Sequence, residues 1–99
     1  MSKKKKLVIT KVLDVSTAHI TEKDNNLLSS NDTYVISYPK DHGFFVYVPE
    51  AAKIIKTFAR DGYSKAFLKL MKMASEHKCG WIMLDSDGTV YPQLKVFDW

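Results

Sequence analysis

Apolar residues between Leu7 and Leu13 fall on both sides of a strand repeat, with Leu7, Ile9 and Leu13 on one side and Val8 and Val12 on the other. A run that is apolar on both faces predicts a central strand. Thr21-Glu22-Lys23-Asp24 has the chemistry of a helix start, with Thr21 as N-cap and acids in the first turn. That helix is short and ends near Ser29 or Ser30, before an Asn31-Asp32 turn. Thr33–Tyr38 and Phe44–Val48 are rich in β-branched and aromatic residues, and the Pro39–Gly43 stretch between them predicts a hairpin loop. Ala51, Ile54, Ile55, Phe58 and Ala59 recur at helical spacing after Pro49, and Asp61-Gly62 stops that helix. Ser64 is a suitable N-cap for the next helix, whose apolar stripe is Ala66, Phe67, Leu70, Met71 and Ala74. Trp81–Asp85 reads as a strand, Ser86-Asp87-Gly88 as a tight turn and Thr89–Tyr91 as the returning strand. Pro92 interrupts that return, so the tail to Trp99 is expected to be an edge or irregular segment.

The expected order is therefore β-α-β-β-α-α-β-β. Its natural architecture is an α+β two-layer sandwich, a mostly antiparallel sheet with helices on one face. Ninety-nine residues suit one domain. We assign residues 1–6 to a basic flexible tail and residues 7–99 to that domain. A chain of this size buries only about 60–65% of its unfolded surface, so it has room for a single core.

Charge adds a partner class. The net charge is +4, with four lysines in the first six residues and seven Lys/Arg against two acids from Lys53 to Lys78. The helical cations Lys53, Lys56, Arg60, Lys65, Lys69 and Lys72 could attract nucleic acid or another phosphate-bearing partner. A solvated helix face explains them equally simply. No apolar run approaches the ~20 residues of a membrane helix, so no membrane partner is expected. The sequence also lacks the long apolar region of a signal peptide, and Cys79 has no second cysteine to pair with. Both features point to the cytoplasm.

Three local patterns suggest chemistry. Asp85-Ser86-Asp87-Gly88-Thr89-Val90 matches the D-x-D-G-T signature of haloacid dehalogenase phosphohydrolases. In that family the first aspartate attacks phosphorus and the second serves as acid and base. The family builds a doubly wound sheet after the motif, however, and here only ten residues follow Thr89. The segment is better read as strand, turn and strand, and two carboxylates are too few for a complete divalent-ion site. His77-Lys78-Cys79, with His19 and His42 elsewhere, provides no zinc frame. Cys79 is expected to be structural. No metal, cofactor or catalytic set is assigned, and the chain is read as a non-enzyme. Ser16, Thr17 and His19 lie between the first strand and first helix, where hydroxyls and a histidine could bind an anion or simply cap the helix. A ligand or metal site joining His19 to Asp85 or Asp87 is a further alternative.

Aromatic residues are plentiful. Outward-facing Phe45 and Tyr47 would form a contact patch, while Phe97-Asp98-Trp99 would either pack back on the domain or anchor a partner. Binding is thus assigned to Ser16, Thr17, His19, Trp81, Asp85, Asp87 and Trp99. The leading expectation is a protein-binding module, possible also as a homodimer through a sheet edge or aromatic patch.

The segments Val15–Thr21, Val46–Pro49, Tyr63-Ser64 with Ala66-Phe67, Cys79 with Trp81, and Phe97-Asp98-Trp99 resemble a family of small bacterial proteins of unknown function. Its members occur on plasmids and conjugative elements. The S-T-A-H-I-T and F-D-W segments are the most specific parts, and the likeness runs nearly the whole chain. The chain departs from that family in the helix-forming stretch Glu50–Arg60, where a shorter connection is expected. The resemblance implies a cytoplasmic bacterial domain, with a mobile-element origin, and transfers no activity.

Overall fold

The computed structural model describes residues 4–99, excluding the side chains of Ile55, Thr57, Phe58 and Ala59. Four strands, β1 (Lys11–Ser16), β2 (Ser37–Lys40), β3 (Gly43–Tyr47) and β4 (Cys79–Asp85), form one sheet in the order β1-β4-β3-β2. β1 runs parallel to β4, whereas the β4–β3 and β3–β2 pairings are antiparallel. Helices α1 (Glu22–Ser30), α2 (Ala51–Asp61) and α3 (Lys65–Glu76) complete an open α+β sandwich.

Strand alternation sorts the side chains. Val15, Phe44, Val46, Ile82 and Leu84 are buried in the same core as Leu28, Ile54, Phe67, Leu70, Met71 and Ala74 from the helices. The helices therefore cover one face of the sheet. A bulge at Gly80 shifts the β1–β4 register, which lets both Cys79 and Ile82 be buried. The predicted stripe of α3 is the buried one, with Ala66 half-buried beside it. Burying each large apolar side chain contributes about 1.5–3 kcal/mol, well above the few tenths by which helix propensities differ. Packing, not propensity, holds α3 in place. Of the expected α2 stripe, Ile54 is buried but Ala51, at the first position of the helix, is exposed, while Ile55, Phe58 and Ala59 lie outside the described side chains.

Helix boundaries follow the capping chemistry. Thr21 and Asp24 form a reciprocal capping box at α1, and Ser64 Oγ accepts the Phe67 N–H at α3. Asn31, at φ 53°, ends α1 in the left-handed region, and Gly62, at φ 89°, follows α2. The hairpin is present with a shorter loop than expected. Pro39 and Lys40 belong to β2, leaving Asp41-His42 as the turn. β2 is an edge strand, so the missing N–H of Pro39 is tolerated.

Two expectations are corrected. The first strand begins at Lys11 and lies at the sheet edge, not the centre. Lys11 pairs with Cys79, where β4 starts, so residues before Lys11 have no partner strand, and Leu7, Val8 and Ile9 are exposed. Of the basic tail, residues 1–3 lie outside the described residues and Lys4–Lys6 are exposed. The second correction concerns the last hairpin. Ser86–Gly88 does turn, with the Gly88 N–H on the Asp85 carbonyl, but Thr89–Tyr91 is not a strand. Both edges of β4 are already taken by β1 and β3, so a return strand has nothing to pair with. The chain crosses instead to the outer side of β1, where the Thr89 carbonyl accepts the Ser16 N–H at 2.9 Å.

Candidate functional site

The uncovered sheet face carries a cluster of exposed apolar and aromatic side chains. Its rows follow from the register. Val12 lies beside Trp81 and Tyr47, and Asp14 lies beside Met83, Phe45 and Tyr38. Tyr38 is 57% exposed, Val12 48%, Tyr47 40% and Phe45 36%, while Trp81 and Met83 are half-buried among them. The Trp81 ring is 5.5 Å from that of Tyr47, edge-on, and 5.9 Å from that of Tyr38. Such geometry favours aromatic pairs and fixes the platform. At one end Lys40 reaches across the Gly43 position to an ion pair with Asp85. That lysine, with the Asp87 N–H on Asp85 Oδ1 at 2.8 Å, holds the Asp85 carboxyl below its ordinary range.

Ser16, Thr17 and His19 belong to the junction after β1. The Ser16 hydroxyl caps the 3-10 turn Thr17–His19 by accepting the Ala18 N–H. His19 is 2% exposed. Its Nε2 accepts the Tyr91 N–H at 2.8 Å, which leaves Nδ1–H to donate to the Lys95 carbonyl, also at 2.8 Å. Both ring nitrogens are thus engaged by the C-terminal segment, and neither by Asp85 or Asp87. The same segment is pinned by the Tyr91 hydroxyl on the Asp14 carbonyl, the Phe97 N–H on the Ala18 carbonyl and the Trp99 indole N–H on the Ile20 carbonyl. The aromatic tail therefore packs back on the domain. Asp87 is exposed, and Asp85 makes contacts only at its end of the sheet.

Of the cavities that border this tail, two reach candidate binding residues. One of about 540 Å³ lies where β1 and β4 end, and Thr17, Lys40, His42, Ser86 and Trp99 contribute to its walls. The other, of about 390 Å³, lies between the start of α3 and the tail, with His19, Lys65, Lys69, Lys95 and Phe97 in its wall. Sequence reasoning found His19, Lys65 and Lys69 separately. It missed Lys95, which no periodic pattern marks, and on the open face it missed Tyr38, Val12 and Met83.

Lys53, Lys56, Arg60, Lys65, Lys69 and Lys72 are all exposed on α2 and α3. Arg60 lies over the Tyr34 ring, 5.3 Å from its centre. Cys79 is buried and unpaired. Among the described residues no three His, Cys, Asp or Glu side chains gather as a metal site, and no helix is long and apolar enough to cross a membrane.

Comparison with curated proteins and with solved structures gives no match. One family model covers residues 12–99, from the second residue of β1 to the docked Trp99, and so takes in both cavities and the open sheet face. The chain belongs to the family of unknown function DUF5983, through that family's C-terminal domain.

Proposed function

We propose that this domain is a non-enzymatic protein-binding module, and that its open sheet face receives a second copy of the same chain. The observation that carries the reading is the exposed aromatic platform of Tyr38, Phe45, Tyr47 and Trp81 with Val12 and Met83. Exposed apolar patches of this kind mark interaction sites, and Trp and Tyr are the usual anchors.

Charge decides between protein and nucleic acid at this face. Its cation, Lys40, is neutralised by Asp85, and Asp14 adds a negative charge on the β1 side. A phosphate backbone laid across it would meet no net positive field, although base stacking needs one beside the rings. A second copy fits better. A two-fold axis along the central strands lays the apolar middle of one sheet on that of the other, and the neutralised Lys40–Asp85 pair brings no unbalanced cation to the contact. Four strands about five residues long span roughly 19 by 17 Å, which is well below a standard-size interface and in the range of weak, transient contacts. A weak dimer governed by concentration is the expected outcome. The surrounding setting fits a reducing bacterial cytoplasm, in which the buried Cys79 thiol stays free.

Sedimentation equilibrium tests the reading. The wild-type chain should shift from monomer to dimer as concentration rises to the millimolar range. Trp81→Asp should remain monomeric with an unchanged far-ultraviolet circular dichroism spectrum. A wild-type chain that stays strictly monomeric throughout would sink the proposal.

A further inference from the structure

We propose that the cavity between the start of α3 and the C-terminal segment binds the phosphate group of a small organic phosphate. The site is separate from the sheet face and does not depend on self-association. Its wall holds three cations, Lys65, Lys69 and Lys95, and no acid. Lys65 and Lys69 are one turn apart on α3 and share a face. Lys95 arrives from a different part of the chain. His19 holds the Lys95 carbonyl directly, and the Phe97 amide on the Ala18 carbonyl anchors the next turn of the segment. Backbone bonds from a buried histidine therefore fix one side of the cavity.

Among the described residues none of the three lysines has a carboxylate partner, since the ion pair there is Lys40–Asp85. Three like charges around one cavity repel one another, by at most about 1 kcal/mol for each pair in water. A dianion among them reverses that sign. Lysine presents a compact charge with three rotatable donors, suited to a tetrahedral phosphate rather than to a planar carboxylate. The Ser64 hydroxyl does not compete for the role, since Ser64 Oγ donates to Asp24 and accepts from Phe67, whereas Thr21 Oγ1 accepts from the Asp24 N–H and keeps its own proton to donate. The buried Asp24 carboxylate is spent on its own three donors from Thr21 and Ser64.

The rest of the wall is apolar. Ala66, Leu70, Leu94 and Phe97 would face the organic part of the ligand. Lys95 lies over the Phe97 ring, 5.1 Å from its centre, so the cation and the aromatic surface form one unit. A volume of about 390 Å³ holds a phosphate with a small ring.

The test is titration calorimetry on the full chain with adenosine monophosphate, inorganic phosphate and adenosine. Adenosine monophosphate should bind saturably and more tightly than inorganic phosphate, with affinity falling as salt rises, and adenosine should not bind. Lys65→Gln, Lys69→Gln and Lys95→Gln should each weaken binding roughly tenfold. Lys53→Gln, on the neighbouring helix, should leave it unchanged. All four side chains are exposed, so the variants should keep the wild-type circular dichroism spectrum. Absence of saturable binding by both phosphate-bearing probes overturns the proposal. So does equal weakening by Lys53→Gln, which would make the effect one of net charge. A third arm uses single-stranded RNA. If it binds and requires Lys53, Lys56 and Arg60 as much as Lys65 and Lys69, the lysines form an extended nucleic-acid surface and the small-ligand site is refuted.

Discussion

Replacing Asp24 by alanine should cost this domain about 3–4 kcal/mol. The carboxylate is 0% exposed and joins the starts of two helices. Oδ2 accepts the Thr21 N–H at 3.0 Å, Oδ1 accepts the Ser64 N–H at 2.8 Å, and the Ser64 hydroxyl donates as well. Thr21 is the N-cap of α1 and Ser64 the N-cap of α3, so one side chain sets the spacing of both helices. Alanine leaves two half-buried amides without their acceptor, at about 1–2 kcal/mol each, and weakens both caps. A domain of this length has only about 5–15 kcal/mol to lose. With a urea slope of about 1–1.5 kcal/mol/M, the midpoint should fall by roughly 2–4 M. Asp24→Asn should fall between the two, because the amide keeps one oxygen but turns an NH₂ toward the donors. The measurement is urea unfolding followed by tryptophan fluorescence and circular dichroism together. A loss below about 1 kcal/mol for Asp24→Ala, or an Asn variant as stable as wild type, would refute the reasoning.

Gly88→Ala should destabilise the docking of the C-terminal segment, because a Cβ there would lie 2.6 Å from the Val15 carbonyl oxygen. Backbone cannot yield as a side-chain tip can, so faster amide exchange at Ser16 and Phe97, ahead of the β3–β4 amides, is the expected signature, and uniform exchange would contradict it. Tyr63 should titrate late, since burial, only partly offset by the Thr33 hydrogen bond, pushes its phenol up from 10.0 to about 12. The folded state then favours the neutral phenol, so this contribution is complete below pH 10 and is lost as pH rises toward 12. Absorbance at alkaline pH, wild type minus Tyr63→Phe, checks this, and a Tyr63 that ionises like a free phenol contradicts it.

The elements that were legible in the sequence are those whose cause is local. Thr21, Ser64, Asn31 and Gly62 bound their helices through groups only a few residues away. The α3 stripe is visible because one helix buries one face. Strand position is a different kind of fact. Leu7-Val8-Ile9 has a better strand composition than Asp14-Val15-Ser16, yet the latter is in the sheet. What decides is where β4 begins, more than sixty residues away, and local composition carries no trace of it. Likewise Asp87-Gly88 correctly signals a turn, but whether a strand returns depends on whether β4 has a free edge.

The candidate site shows the same division more sharply. His19 stands out in the sequence because a histidine in a short loop between rigid elements suggests chemistry. In the structure its two nitrogens are used on the Tyr91 and Lys95 backbone, and among the described residues neither bonds a titratable side chain. Its effect is positional, and it extends to residues that no motif connects. By holding the Lys95 carbonyl it brings a cation of the irregular tail to the helix that carries Lys65 and Lys69. Nothing in the local sequence around Lys95 predicts that meeting, because an aperiodic segment takes its path from the groups that catch it. The prediction that separates this account from a direct role for the ring is His19→Gln. Glutamine has both donors and an acceptor, but they sit together at the end of the side chain and do not point apart as the two ring nitrogens do, so it cannot hold both backbone groups at once. It should loosen the 91–97 segment and weaken phosphate binding together, while Lys95→Gln weakens binding with the segment still in place. Loss of binding in His19→Gln with amide exchange of Phe97 unchanged would show the imidazole itself touching the ligand, and the positional account would fail.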